Sequence, residues 1–117
     1  MLTVKGQNQG ELLEIVTEGT ATKEDLEKYK EALKAKILQE EPIHILFIFK
    51  NIEGVTFQGF LEDMKTLPLM KSVGKGAVVE DGTLTHGDLM IGKLFPGVDV
   101  AHFSMDEMEE ARDWLKR

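Results

Sequence analysis

The residues able to do chemistry in this chain are concentrated in the segments that follow its apolar runs. Glu53 and Thr56 come after the run IHILFIF, and Asp81 and His86 come after KGAVV. Carboxylates, a hydroxyl and an imidazole could together carry out acid–base chemistry or contact a partner. We therefore name seven candidates for a ligand- or partner-binding site: Asn51, Glu53, Thr56, Phe57, Phe60, Asp81 and His86.

No set of side chains matches a familiar catalytic or metal-binding pattern. The chain has no cysteine, which excludes thiol catalysis, thiolate metal sites and disulfide bonds. His44, His86 and His102 lack the spacing for chelation within a helix or turn. No G-x-S-x-G or H-E-x-x-H motif occurs, and the glycines around Lys75 do not have phosphate-loop spacing. We expect no catalytic residues, no metal and no cofactor.

Length and charge restrict the partners. A chain of 117 residues that is 42% hydrophobic predicts one domain, 1–117, with a core of its own. The net charge of −7 repels phosphate backbones, so we expect no nucleic-acid partner. No apolar stretch approaches the roughly 20 residues of a membrane helix, and no signal-peptide pattern opens the chain. We expect a cytoplasmic protein without membrane insertion.

The apolar pattern predicts the elements that must position these residues. Strands are predicted over 2–5, 12–17, 43–49, 75–82 and 98–103, the first two joined as a hairpin by the turn GQNQG. Helices are predicted over 22–41, 57–67, 83–95 and 104–117. Thr22 with Asp25, and Ser104 with Glu107, have the spacing of helix-capping pairs. This order predicts an α/β fold with a mixed sheet of about five strands, an antiparallel N-terminal hairpin and about four helices.

Ligands of an open parallel sheet gather where its strands end. Four loops should meet there, at 18–22, 51–56, 80–85 and 103–104. They carry the acidic residues Glu18, Glu53, Glu80 and Asp81. We interpret these first as helix-start acids that complement the helix dipoles, and second as the rim of a pocket lined by Phe57 and Phe60.

Four stretches of the sequence resemble the SpoIIAA-like branch of the STAS fold, a group of small bacterial proteins. They are GTATKEDLEKY, ILFIFKNIEGVTFQGFLEDM, KGAVVEDG and MDEMEEARDWLK, and they run from about Gly19 to the end of the chain. The family is related in fold to Sec14-type (CRAL-TRIO) lipid-binding domains. The resemblance implies a βα superhelical sheet, and a binding or regulatory module rather than an enzyme.

The resemblance also allows the sequence to be checked for one functional residue of the family, a phosphorylated serine. In anti-sigma-factor antagonists of this family, a serine at the start of the helix after this strand is phosphorylated by a partner kinase. Here Gly59 and Phe60 occupy the positions of the Asp-Ser pair, and the two serines of the chain are Ser72 and Ser104. The chain therefore lacks the phosphorylatable serine, and Thr56 is interpreted as a helix N-cap.

Three functions follow from these features. The leading one is a non-catalytic STAS-like binding or regulatory module with an unknown protein partner. The alternative is a small carrier of a lipid or other apolar ligand. Met64, Met70 and Met90 are interpreted first as core residues and second as the lining of its pocket. The third is an enzyme that uses the edge carboxylates and His86.

The sequence also predicts self-association. Right-handed crossovers place their helices on one face of the sheet, yet IHILFIF is apolar on both faces. Residues 2–4, the strand at 12–16 or the first helix could cover the second face. If they do not, a second copy must, so we expect a homodimer, with the monomer as the alternative.

Overall fold

The computed structural model describes residues 1–53, 57–82, 95 and 97–117, and its five strands form one sheet. The strands are β1 (Leu2–Lys5), β2 (Leu13–Glu18), β3 (Ile43–Lys50), β4 (Val73–Glu80) and β5 (Asp99–Ser104). They lie side by side in chain order, with β1 antiparallel to β2 and every other pair parallel. The predicted mixed sheet with its antiparallel hairpin is confirmed.

The described residues form three α-helices and two short 3-10 helices. The α-helices are α1 (Lys23–Ile37), α2 (Phe57–Lys65) and α3 (Met108–Lys116), and the 3-10 helices are Pro68–Ser72 and Met105–Glu107. About four helices were predicted, and the predicted helix over 83–95 lies outside the described residues except for its last position. Helix α1 ends earlier than predicted because the Gln39 and Glu40 amides both donate to the Lys36 carbonyl and close a turn.

Both predicted helix caps form. At α1 the Asp25 amide donates to Thr22 Oγ1 at 3.2 Å, and the Thr22 amide donates to Asp25 Oδ2 at 2.9 Å. Each side chain thereby satisfies a backbone group that the first helical turn leaves without a partner. Ser104 and Glu107 form the same reciprocal pair where β5 ends. Both helical segments therefore begin at the edge of the sheet where the parallel strands end.

The larger core lies between the sheet and helices α1 and α2. Phe47 is its centre, with ring centroids 6.2 Å from Tyr29 and 5.8 Å from Phe95. Burial raises the pKa of Tyr29 well above its ordinary value, and its hydroxyl donates to Met70 Sδ at 2.9 Å. Met64 and Met70 are both core residues, whereas Met90 lies outside the described residues. The two described methionines of the expected apolar pocket therefore fill the core.

The second face of the sheet is covered by α3. Leu46 and Ile48 of β3 form a separate buried cluster with Ala111 and Leu115 of α3. The sequence suggested residues 2–4, the strand at 12–16 or the first helix as internal cover. Leu12 and Val16 of that strand do pack against the cluster, whereas α3 was not among the expected sources. Among the described residues, Met1 and Leu38 are the large hydrophobic side chains left exposed. The homodimer stays a prediction, but an uncovered apolar face no longer requires it.

Two polar contacts anchor α3 on this face. Lys75 Nζ, on β4, donates to the carbonyls of Trp114 at 3.2 Å and Arg117 at 3.0 Å. A cation at a helix C-terminus satisfies the unpaired carbonyls and complements the dipole. Near the start of β2, Arg112 donates to both carboxylate oxygens of Glu14, at 3.1 and 3.0 Å. The short helix is thus tied to strands on both sides of β3.

Lys36 is a buried cation that the amphipathic pattern did not predict. Its side chain is 1% exposed, and its Nζ donates to the carbonyls of Gly6 at 3.2 Å and Asn8 at 2.9 Å. Glu40 Oε1 lies 3.5 Å away and balances the charge. Gly6 has φ +76°, and a Cβ there would lie 1.7 Å from the Leu12 carbonyl oxygen, so only glycine fits this turn. Lys36 therefore holds the β1–β2 turn against the end of α1.

Candidate functional site at the carboxyl edge

The parallel register brings the ends of four strands to one edge of the sheet. Glu18 of β2 is opposite Lys50 of β3, and Glu80 of β4 is opposite Ser104 of β5. The Phe49–Glu80 pair aligns β3 with β4. We call these strand ends and the loops that follow them the carboxyl edge. The four expected loops, after β2, β3, β4 and β5, therefore begin side by side.

Asn51 links three of these strand ends. Its φ is 46°, in the left-handed region that asparagine tolerates better than most residues. In this conformation its backbone amide donates to Asp81 Oδ2 at 2.8 Å, and its side-chain Nδ2 donates to Glu18 Oε2 at 3.3 Å. All three residues are exposed. Asn51, the residue after β3, therefore contacts the last side chain of β2 and the first side chain after β4.

The loops after β2 and β3 are also joined through their backbones. The Gly19 amide donates to the Lys50 carbonyl at 3.3 Å, and the Glu53 amide donates to the Gly19 carbonyl at 3.2 Å. Gly19 has φ +72°, which turns the chain away from β2 toward α1. The Glu53 side chain is left exposed beside this pair of bonds. The backbone here is ordered by the fold, while the carboxylate faces solvent.

Glu80 organises the loop after β4. Its Oε2 accepts from the Gly82 amide at 2.6 Å, and its Oε1 lies 3.6 Å from His102 Nε2 on β5. His102 is nearly half exposed and Glu80 is largely covered. Among the residues that the structure describes, no serine or threonine hydroxyl bonds to either member of this carboxylate–imidazole pair, so the described geometry contains no nucleophile for it to activate.

Ser104 gathers two further carboxylates at the end of β5. Its Oγ lies 2.5 Å from Asp106 Oδ1 and 2.9 Å from Glu107 Oε1, and its amide donates to Glu107 Oε1 at 2.9 Å. The hydrogen bond from the Ser104 hydroxyl lowers the pKa of Asp106, and the Ser104 amide and hydroxyl lower the pKa of Glu107. Both carboxylates are therefore charged at neutral pH.

The structure brings together some of the predicted site residues and separates others. Asn51 and Asp81 are in direct contact, and Glu53 lies two residues after Asn51 on the same loop. Phe57 and Phe60 are buried in the larger core, where Phe57 packs edge-on against Phe49 at 5.4 Å. Thr56 and His86 lie outside the described residues.

The seven predicted residues omit Glu18 and Ser104, which the structure places at the same edge. Glu18 receives the Asn51 side chain, and Ser104 lies with Glu80 and Asp81 around a depression of about 400 Å³. A signal for both was present in the sequence, since each is the last residue of a strand in a parallel sheet. Without the register, however, their distance from Asn51 could not be assigned.

The carboxyl edge carries more carboxylates than cations in its described part, although Lys50 ends β3 there. Its carboxylates are Glu18, Glu53, Glu80, Asp81, Asp106 and Glu107. Within residues 1–53, 57–82, 95 and 97–117, no group of three or more histidine, aspartate or glutamate side chains is arranged to hold a metal ion. Nor does any helix in the same residues have the length and apolar character needed to cross a membrane. The arrangement offers a preformed anionic surface.

Comparisons with known proteins agree with this architecture. No curated protein matches the chain. Among solved structures, an uncharacterized protein with a SpoIIAA-like fold from Shewanella loihica PV-4 has a similar fold, with a TM-score of 0.67 and 18% identity over 97% of this chain and 93% of that one. The SpoIIAA-like family model matches residues 12–116, nearly the whole chain. The chain therefore belongs to the SpoIIAA-like family.

Proposed function

We propose that this chain is a non-catalytic binding or regulatory module that receives a protein partner on its carboxyl edge. The observation that carries the proposal is the Asn51 network with Glu18 and Asp81, which holds three loops together in one exposed surface. A surface that is already ordered loses less conformational entropy when a partner binds. This arrangement favours recognition of another protein over a reaction.

The charge of the edge indicates the chemistry of the partner. Its carboxylates lie on successive strand ends, and the pKa of Asp106 and that of Glu107 are held below their ordinary values. A basic protein surface would approach this edge faster and bind it more selectively than a neutral one. We therefore assign lysine- or arginine-rich contacts to the partner.

Regulation by the family's phosphoserine is not part of the proposal. Ser72 donates to Glu41 Oε1 at 2.7 Å, away from the start of α2, and Ser104 caps the final helical segment. A phosphate on Ser104 would be placed against Asp106 and Glu107 and repelled by both. We propose that binding of the partner itself, rather than phosphorylation at α2, is the regulatory event.

The alternative of an apolar-ligand carrier receives little support from the described residues. Phe57 and Phe60, expected to line its pocket, pack on each other at 6.2 Å and are nearly inaccessible. An enzyme that depends on His86 rests on a residue outside the described part of the chain. Native mass spectrometry of protein purified from cells distinguishes the carrier, because a co-purified lipid would add to the 13.2 kDa mass.

The proposal can be tested by reversing charge at the edge. We expect an immobilised wild-type chain to capture a basic partner from lysate of the native host, and the double variant Glu18→Lys and Asp81→Lys to lose it. The matched control is Asp63→Lys with Asp113→Lys, which makes the same charge change at exposed helix positions. Quantitative mass spectrometry of the eluates compares the three proteins.

Specific loss in the edge variant, with retention by the control, supports the proposed surface. Equal capture by all three proteins would remove the edge as the binding site. Equal loss from both variants would show that net charge, rather than this surface, governs capture. Circular dichroism establishes that both variants are folded before the comparison is made.

A further inference from the structure

A second candidate surface lies on the opposite side of β2 from the Asn51 network, along β1. The Glu18 amide donates to the Met1 carbonyl at 2.8 Å, and the Met1 amino group donates to the Glu18 carbonyl at 2.6 Å. Opposed residues of an antiparallel pair alternate between bonded and non-bonded positions. In the observed register, Leu2 and Val4 therefore direct their backbone amides and carbonyls away from β2.

These outward-facing groups border a groove. It has a volume of about 820 Å³ and lies between β1 and α1. Leu2 and Val4 form its strand side, while Ala32 and Ala35 contribute short side chains on the helix side. Because alanine does not fill the space above the strand edge, the groove leaves room for side chains of an added segment.

The dimensions of the groove suit an extended peptide. The helix wall from Glu24 to Ala35 rises roughly 16 Å at 1.5 Å per residue. Five residues of β-strand span about the same distance. A segment of that length can pair with the outward groups of Leu2 and Val4 along the whole helix wall.

The rim of the groove is acidic. Glu24, Glu27 and Glu31 line the α1 side, against the single lining lysine, Lys28. Glu27 and Glu31 also contact Lys30 and Lys34 at 3.1 and 4.0 Å, but such exposed pairs within a helix are weak. A second copy of the chain would carry the same acidic rim and a net charge of −7, so it would be repelled from this groove. The charge of the groove therefore favours a basic occupant.

We propose that the β1–α1 groove binds an extended segment of a partner protein as a sixth strand. The segment carries short aliphatic side chains that enter the groove beside Ala32 and Ala35, and lysines or arginines that contact Glu24 and Glu31. Its backbone pairs with Leu2 and Val4. This surface does not include Asn51 or Asp81, so it stands independently of the function proposed for the carboxyl edge.

The test uses a defined probe, the peptide acetyl-Lys-Thr-Val-Thr-Val-Thr-Lys-amide, titrated into ¹⁵N-labelled protein. Its lysines and valines occupy alternate positions and therefore share the face of the strand that meets α1. We expect NMR shift changes in β1 and along α1, and amide exchange at Leu2 and Val4 about tenfold slower with the peptide bound. A control peptide with glutamate in place of both lysines should bind about tenfold more weakly.

Two variants of the protein make the test specific. Val4→Pro removes an outward amide without removing a β1–β2 hydrogen bond, so it should keep the fold and lose the peptide. Glu24→Lys with Glu31→Lys changes only exposed positions and should weaken binding by about tenfold. Asp81→Lys should leave binding unchanged, which separates this surface from the carboxyl edge.

Several results would overturn the proposal. One is the absence of shift changes in β1 at saturating peptide, and another is equal binding of the lysine and glutamate peptides. A third is protection of Leu2 and Val4 in the free protein that rises with protein concentration, because a second copy would then be the occupant. If Val4→Pro does not fold, the charge-reversal variant and the two peptides decide the question.

Discussion

Lys36 and Asn51 perform the same task at opposite ends of the sheet, in different surroundings. Lys36 is 1% exposed and holds the β1–β2 turn by donating to two carbonyls. Asn51 is exposed and holds the loops after β2 and β4 by donating to two carboxylates. The comparison shows how burial changes the consequence of a polar link.

At the buried end, the Lys36 ammonium has no water to replace a lost acceptor, so the link mainly contributes stability. At the exposed end, water can replace a lost partner, and the carboxylates keep capacity to accept from another molecule. The turn held by Lys36 is therefore expected to be structural, and the edge held by Asn51 is the better candidate for recognition.

The largest predicted effect is at the buried end. Lys36→Met keeps the unbranched stem but removes the ammonium, leaving the Gly6 and Asn8 carbonyls without their donor. We expect a loss of about 3 kcal/mol in the free energy of unfolding, measured with urea. Lys34→Met, at an exposed position of the same helix, is the control and should change stability by less than about 0.5 kcal/mol. Equal losses would contradict the assigned role of burial.

A smaller loss is predicted at the exposed end. Asn51→Ala places alanine at φ 46°, a strained conformation that its side chain cannot offset with a hydrogen bond, and it also removes the bond to Glu18. We therefore expect a loss of about 1.5 kcal/mol in the free energy of unfolding. Asn51→Gly removes the same bond without the strain and should lose about 1 kcal/mol less. Urea unfolding of both variants separates strain from hydrogen bonding. A glycine variant as unstable as the alanine variant would show that strain contributes nothing.

Asp25 offers a test at intermediate effect, since it is a buried carboxylate beside the carboxyl edge. Burial raises its pKa, but the amide and hydroxyl of Thr22 and the Met1 amino group more than offset this, and the net pKa lies below its ordinary value. Because the folded pKa is lowered, its contribution to stability is present above the unfolded pKa of about 3.9 and disappears as pH falls through the lower folded value. Asp25→Asn should therefore be less stable than wild type at neutral pH, and the difference should narrow below about pH 4. A constant difference across that range, measured by urea unfolding, would exclude the ionised carboxylate as the cause.

The last prediction concerns the mass of the protein in solution, for which we expect no departure from that of a single chain. Since α3 covers the second face of the sheet, we expect light scattering during gel filtration to give the mass of one chain, 13.2 kDa, at two concentrations tenfold apart. A mass near twice that value would confirm the homodimer predicted from the sequence. It would also require both the edge held by Asn51 and the β1 groove to be re-examined as contacts between copies.

The sequence by itself determined the local features of this protein. Thr22 with Asp25 and Ser104 with Glu107 form the predicted caps because a cap depends on residues three positions apart. The run IHILFIF is buried on both faces, as its continuous apolar character predicts for a central parallel strand. Turn residues and the alternation of strands and helices were likewise sufficient for the mixed sheet.

Only the tertiary structure decided which distant residues meet. Asn51 contacts Asp81 and Glu18 across 30 and 33 positions of the chain, so their contact depends on the register of three strands, which no local pattern encodes. Lysine is usually found at the surface. Lys36 is buried because the β1–β2 turn folds back over the end of α1. The sequence also did not determine that α3 covers the second face. The apolar stripe of an amphipathic helix shows that the helix packs on an apolar surface, but it does not identify that surface.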